Sequence, residues 1–229
     1  MKEIEVLYED NHIIAVNKRS SQITQGDRTG DTPLNELVKE FMRVRDNKPG
    51  KVFLGTVHRL DRPVSGVVLF AKTSKALTRL NKMFQDKSID KTYWAVTKQS
   101  DILPNDELTH FLLKNSTKNK TTAFDREKAG SKKSVLSYNL KGKKLNHNFI
   151  EVYPKTGRPH QIRVQLAKIG CVIKGDLKYG YTNPNENKSI HLHARKIEFL
   201  HPVKKEQVKI FASPPKDKYW NEFVKMENK

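Results

Sequence analysis

A single cysteine, Cys171, in 229 residues excludes an internal disulfide, and the lack of any Cys-x-x-Cys pair removes the usual thiolate frame for a structural zinc. A reducing compartment suits such a chain, and a cytoplasmic protein is expected. Nowhere do 18 apolar residues run consecutively, and residues 1–6 carry no apolar signal core, so neither visible secretion nor a membrane span is expected. Neither Gly-x-Gly-x-x-Gly nor a Walker-type Gly-Lys-Ser/Thr occurs, which argues against nicotinamide, flavin and ATP chemistry. His191-x-His193 gives two side chains on one strand face without an obvious third ligand, so neither a metal nor a cofactor is expected. No repeat of 20–50 residues and no Pro/Ser-rich linker divides the chain, which reads as one domain over 1–229.

Acid is also scarce. Twenty-five Asp+Glu face 44 Lys+Arg, a formal net charge of +19 with pI near 9.9. Such a balance points to a polyanion, because nucleic acids draw sequence-independent affinity from cations placed near phosphates. Lysine supplies 33 of the 44, and a lysine-rich surface can equally reflect composition without a binding groove.

Periodicity predicts an opening hairpin from residues 4–8 and 12–16, then a helix capped by Thr32, with Pro33 at its first position and Leu34, Leu37, Val38 and Phe41 on one face. Apolar runs at 52–57 and 66–71 read as strands that present the polar loop His58-Arg-Leu-Asp-Arg-Pro63. A helix capped by Ser74, a strand from Lys91, a strand at 149–153, a helix opening at Pro159 and ending at Gly170, and closing strands at 191–200 and 208–211 follow. Residues 114–144 hold nine lysines and Arg126 among Asn, Ser, Thr and Gly, and read either as a basic hairpin arm or as a solvated loop. The mixture lacks regular strand–helix alternation. An α+β fold is expected, a mixed, largely antiparallel central sheet flanked by helices.

A chain with three lysines per arginine nevertheless places Arg59, Arg62, Arg158, Arg163 and Arg195 in its densest polar motifs. Planar guanidinium matters where a carboxylate or phosphate is held bidentately or a flat group is stacked, although a structural Arg–Asp clamp meets the same demand. The motifs are Val57-His-Arg-Leu-Asp-Arg-Pro-Val-Ser-Gly66 and Lys155-Thr-Gly-Arg-Pro-His-Gln-Ile-Arg163, continued by Gly175-Asp-Leu-Lys-Tyr-Gly180. With Val6-Leu-Tyr-Glu-Asp, Ala15-Val-Asn-Lys, Lys91-Thr-Tyr-Trp-Ala, Leu192-His-Ala-Arg and Phe199-Leu-His-Pro, the chain resembles the RluA branch of the RNA pseudouridine synthases over nearly its whole length.

That resemblance implies the pseudouridine synthase fold and the isomerisation of a uridine in structured RNA, ribosomal or transfer, to its C-glycoside, a redox-neutral reaction. Asp61 falls on the catalytic aspartate, as nucleophile or as proton-abstracting base; the sequence leaves both open. Tyr93 falls on the tyrosine that lies against the uracil, though its alternation with Trp94 also fits an ordinary core strand. Arg163 falls on the basic residue that ion-pairs with the aspartate, its guanidinium turned toward the cleft while Ile162 packs. Arg59 matches the side chain that replaces the flipped nucleotide. Arg62, Arg158 and His160 are phosphate contacts or supports for them, and Leu60 and Ile162 wall the pocket or pack. A catalytically silent RNA-binding or RNA-folding factor on the same scaffold is the competing expectation.

Three positions depart from the family pattern. Asn17-Lys-Arg-Ser-Ser21 stands where Asn-Lys-Pro-x-Gly is usual, which implies a different turn; Val64 replaces a threonine, and Gln165 a histidine. The chain reads as too short at its start for the appended N-terminal RNA-binding domain of many relatives, so RNA is expected to be the partner of a monomeric catalytic domain, with no obligate protein partner.

Overall fold

The apolar runs near the start of the chain pair as expected: β1 (Val6–Glu9) lies antiparallel to β2 (Ile13–Lys18). The structure, a computed structural model, describes residues 4–26 and 30–227. After the hairpin come α1 (Leu34–Arg45), a two-residue β3 (Gly55–Thr56), β4 (Ser65–Ala71) and α2 (Ser74–Gln85). The strands β5 (Asp90–Lys98), β6 (Asn105–Asn115), β7 (Lys120–Phe124), β8 (Lys132–Lys144) and β9 (His147–Pro154) follow. Then come α3 (Gln161–Lys168), a 3-10 turn at Leu177–Tyr179, β10 (Leu192–Leu200), β11 (Gln207–Phe211) and α4 (Lys218–Glu227). The class is the expected α+β, with largely antiparallel strands and helices packed on them.

The chain folds as two compact units, Met1–Asp90 with Ala194–Pro214, and Lys91–His193 with Pro215–Lys229. In the first, β4 is buried from end to end, which is why its sequence is an unbroken apolar run with no alternation. It pairs antiparallel with β2, from Ile13 opposite Ala71 to Lys18 opposite Gly66. Gly66 sits at φ 117°, and a Cβ there would lie 2.3 Å from the Ala194 carbonyl oxygen, so no other residue fits. Ala76 and Leu80 of α2 pack on Ile13, Leu69, Ile197 and Phe199.

The starts of α1 and α2 differ from expectation by one residue each. Pro33, not Thr32, caps α1, and no side chain serves the cap; Leu34 and Asn35 N–H donate instead to the carbonyls of Ile23 and Thr24 at 2.8 and 3.3 Å. Thr73, not Ser74, caps α2, its hydroxyl accepting from Ala76 N–H at 3.2 Å. The strand expected over 52–57 contracts to Gly55–Thr56.

In the second unit the strands run in the order β5-β9-β8-β6-β7, antiparallel throughout. The lysine-rich stretch is therefore no loose loop: it supplies the end of β6, all of β7 and all of β8, while its lysines stay exposed. Helix α4, which the apolar periodicity does not announce, closes one face by stacking Phe223 on Trp94 at 4.2 Å and 9°. Asp217 caps α4 through Tyr219 and Trp220 N–H at 2.9 and 2.8 Å and pairs with His191 Nε2 at 2.9 Å.

Burial pushes the pKa of His110, His147, His191 and His201 below 6.5, against the raising pull of Asp217 on His191 and Asp10 on His201. His201 Nδ1 accepts from Val203 and Lys204 N–H at 3.2 and 2.9 Å, a role that a proton on Nδ1 ends. Groups with a depressed folded pKa take up protons first in the unfolded chain, so stability is full above pH 6.5 and falls as pH drops toward the folded values. We expect Tm to fall between pH 7.5 and 5.5, before carboxylates titrate; a flat Tm over that interval would show that these imidazoles protonate at no cost.

Candidate active site

In the first unit the loop from His58 to Val64 leaves β3 and enters β4, and its residues have separate anchors. His58 Nε2 accepts from Leu69 N–H at 2.9 Å while its ring stacks on Phe84 at 5.0 Å. Leu60 is buried, and the Thr24 hydroxyl clamps both its backbone groups, accepting from its N–H at 3.2 Å and donating to its carbonyl at 3.1 Å. Val64 N–H donates to the Asp61 carbonyl at 3.0 Å, closing a turn over residues 61–64 that opens with the half-buried Asp61. Arg59 is exposed, and Arg62 Nη1 lies 2.5 Å from Asp31 Oδ2. The loop thus sets a buried leucine between an exposed arginine and a half-buried aspartate.

Beneath the loop lies a group to which neither arginine motif gives a role. Lys18 is fully buried, and its ammonium donates to the carbonyls of Arg19, Gln22 and Arg62 at 3.0, 2.8 and 3.2 Å. Three acceptors match the three N–H bonds of an ammonium. Burial brings its pKa down to about 7, with Asp61 pulling the other way. The turn between Lys18 and Arg62 also holds Ser21, at φ 68° with its N–H on the Arg62 carbonyl at 2.8 Å. Where the family pattern has glycine, serine here adopts the left-handed backbone that glycine takes freely, at a cost of about 1 kcal/mol.

In the second unit the other arginine motif forms a tight approach to α3. Gln161 shapes it: its Oε1 accepts from Thr156 Oγ1 at 2.8 Å and Arg158 N–H at 3.0 Å, and its Nε2 donates to the Val135 carbonyl at 3.0 Å. The helix opens at Gln161, two residues after the expected Pro159, with His160 as its cap in a left-handed conformation. Residues Gln161 to Leu166 are all buried, so Arg163 is 5% exposed beside Ile162 at 7%. A guanidinium so enclosed needs a compensating charge, and Asp176, itself 1% exposed, takes Nε at 2.7 Å and Nη2 at 2.9 Å in a bidentate pair. Gly175 at φ 82° makes that possible, since a Cβ there would lie 2.6 Å from Asn185 Nδ2.

Gln165, the third departure, donates to the carbonyls of Leu108 and Ser134 at 3.1 and 3.3 Å and ties α3 to β6 and β8. Arg158 is exposed and His160 half-buried. Tyr93 lies on β5 opposite Val152, half-buried and on the other face from Trp94, which faces α4. Lys18, Thr24, Gln161 and Asp176 are supports that the motifs alone do not reveal. Lys18 and Asp176 lie inside the quoted Asn-Lys and Gly-Asp motifs, which is the one signal that could have found them.

Replacing Lys18 by Met removes all three donors and leaves the carbonyls buried. We expect a loss of about 3 kcal/mol, read as a lower Tm, together with faster hydrogen exchange at Ser21 and Val64. Unchanged exchange at those amides would show that the loop stands without Lys18.

The family model described as RNA pseudouridylate synthase matches residues 12–168. The ribosomal large subunit pseudouridine synthase C of Buchnera aphidicola from Schizaphis graminum is 32% identical over 96% of this chain and 69% of its own length. The tRNA pseudouridine synthase C of Haemophilus influenzae is 28% identical over 96% of both chains. This chain spans 66–69% of the ribosomal-type relatives from Buchnera. The solved structure of human RNA pseudouridylate synthase domain containing 4 superposes with a TM-score of 0.77, covering 98% of this chain and 93% of that one at 19% identity. The human domain containing 1 protein gives a TM-score of 0.70 at 21% identity, over 93% and 84%. Both likenesses carry the fold alone. With most of its length under the family model, and both arginine motifs built around anchored polar side chains, this chain belongs to the RNA pseudouridylate synthase family.

Proposed function

We propose that this chain isomerises specific uridines of structured RNA to pseudouridine, with Asp61 as the catalytic carboxylate. The observation that carries the reading is the construction of the Asp61 loop: a carboxylate held half-buried at the start of a turn while Lys18, Thr24 and the Arg62 backbone fix that turn from below. So much support beneath one turn suits a carboxylate whose direction matters.

The reaction breaks the bond between C1′ and N1, turns the uracil, and joins C1′ to C5, whose proton is released as N1 takes one up. Atoms and electrons balance without a redox partner. Asp61 serves either by attacking the sugar carbon or by abstracting a proton. Arg59, exposed on the same loop, takes the place of the extruded nucleotide and offsets part of its unstacking cost. Tyr93 lies against the uracil. Arg163 supplies the cation, oriented by Asp176. Arg62, Arg158 and His160 support phosphate contacts, and the buried Leu60 and Ile162 pack behind them.

Ribosomal and transfer RNA are both named among the relatives, and both are proposed substrate classes. In this reading the protein acts in the cytoplasm as a monomer. Pseudouridine maps of a deletion strain and its parent identify the modified uridines. Asp61→Asn is expected to abolish modification while RNA binding stays within about twofold. Identical maps for wild type and variant, with both binding RNA, would instead establish a silent RNA-binding factor.

The exposed lysines of β6, β7 and β8 carry the sequence-independent share of binding in this reading. Changing Lys114, Lys120, Lys132 and Lys133 to Ala is expected to weaken RNA binding and to flatten the dependence of log K on log salt, by up to about one unit for each phosphate no longer neutralised. An unaltered slope would assign those lysines to plain surface.

A further inference from the structure

The 3-10 turn at Leu177–Tyr179 does more than follow Asp176. From this one turn two groups reach Arg163: the Asp176 carboxylate along the guanidinium edge, at 2.7 and 2.9 Å, and the Tyr179 ring, with Arg163 Cζ 5.2 Å from its centroid. The Tyr179 N–H donates to the Asp176 carbonyl at 3.1 Å, so ring and carboxylate move as one piece.

The other contacts of Tyr179 lead away from α3, to the basic hairpin. Its hydroxyl accepts from Thr121 N–H at 3.0 Å, on the side of β7 that faces no further strand among the described residues, and hydrogen-bonds His160 Nδ1 at 2.8 Å. Lys120 Nζ lies 5.7 Å from the same ring. Thr121 Oγ1 donates to the Pro159 carbonyl at 3.0 Å, and Lys178 Nζ donates to the Asn119 carbonyl at 2.8 Å, so the hairpin turn and the start of α3 are fastened at the same place. Burial pushes the Tyr179 hydroxyl pKa up, which keeps it a neutral phenol over any ordinary assay pH.

We propose that Tyr179 is a positioning residue for Arg163, and that it sets the guanidinium orientation jointly with the seat of the β6–β7 hairpin. The proposal rests on the reading of Arg163 as part of the reaction machinery. Its physical basis is geometric. A bidentate carboxylate fixes the plane of a guanidinium yet allows it to pivot about the line joining the two groups, and a ring in face contact restricts that pivot. Because the ring is itself held by Thr121 and His160, a shift of the hairpin reaches Arg163 through it. RNA gripped by the hairpin lysines would then bias the cation's orientation without touching it.

Two variants separate the two parts of the role. Tyr179→Phe keeps the ring and loses the tie to Thr121 and His160; Tyr179→Leu loses both. Measured in single turnover on a modified RNA, with RNA affinity and Tm recorded on the same preparations, the rate is expected to fall about threefold to tenfold for Phe and about thirtyfold or more for Leu. RNA Kd is expected to stay within about twofold for both. Partial rescue by Phe, with rate and affinity dissociated, is the signature of positioning. Rates equal to wild type in both variants, or rate losses that only follow the fraction of folded or RNA-bound protein, would overturn the proposal. Absence of modification by the wild-type protein itself would instead overturn the enzymatic reading, an outcome that these variants do not mimic.

Discussion

The Asp61 loop depends on one buried charge. An ammonium in a protein interior is costly unless each of its protons is met, and Lys18 meets all three with backbone carbonyls, two from the turn after β2 and one from the loop itself. Carbonyls that would otherwise be orphaned are satisfied by the cation, and the cation is tolerated because of them. Remove either and, of the bonds described above, the two segments keep those between Ser21 and Arg62 and between Thr24 and Leu60. The three bonds use no side-chain carboxylate. The left-handed strain of Ser21 belongs to the same arrangement: its N–H and the Lys18 ammonium share the Arg62 carbonyl, and the backbone bends to allow it.

The second unit solves the corresponding problem with the opposite means. Arg163 is buried, and here a carboxylate, Asp176, balances it through two hydrogen bonds. Such pairs contribute little net stability, since the desolvation of both ions offsets most of their attraction, but they fix direction strongly. Both arginine motifs therefore follow one rule. The chemically versatile group is held by something rigid, and the rigidity resides in the backbone: Gly175, the left-handed His160, the Thr24 clamp on Leu60.

Much of this is legible in the sequence because arginine, glycine and aspartate in the two motifs have few alternative uses. The strands are legible for the same reason, apolar runs such as Val67–Ala71 having nowhere to go but a core. Lys18 is not, since it is one of 33 lysines and, beyond the Asn-Lys motif, nothing in its neighbours says that it turns inward. The caps of α1 and α2 slip by one residue because tertiary acceptors, the Ile23 and Thr24 carbonyls, replace a local side chain at α1, and Thr73 competes with Ser74 at α2. The burial of Arg163 requires Asp176, far beyond one helical turn in sequence, which helix periodicity cannot report. Strand β6 escapes notice because its alternation, Leu108, His110, Leu112, includes a histidine that reads as polar yet is buried. Helix α4 escapes because its two anchors, Trp220 and Phe223, sit among lysines and acids.

The path of the chain through the two units also orders their biogenesis. The first unit lacks Ile197, Phe199, Val208 and Ile210 until residues 194–214 are made, and the second lacks Trp220 and Phe223 until α4 is complete. Synthesis from the N-terminus thus leaves each apolar core open until its distant segment, residues 194–214 or α4, has been made. The Asp61 loop therefore gains its completed core only after both arginine motifs have been synthesised.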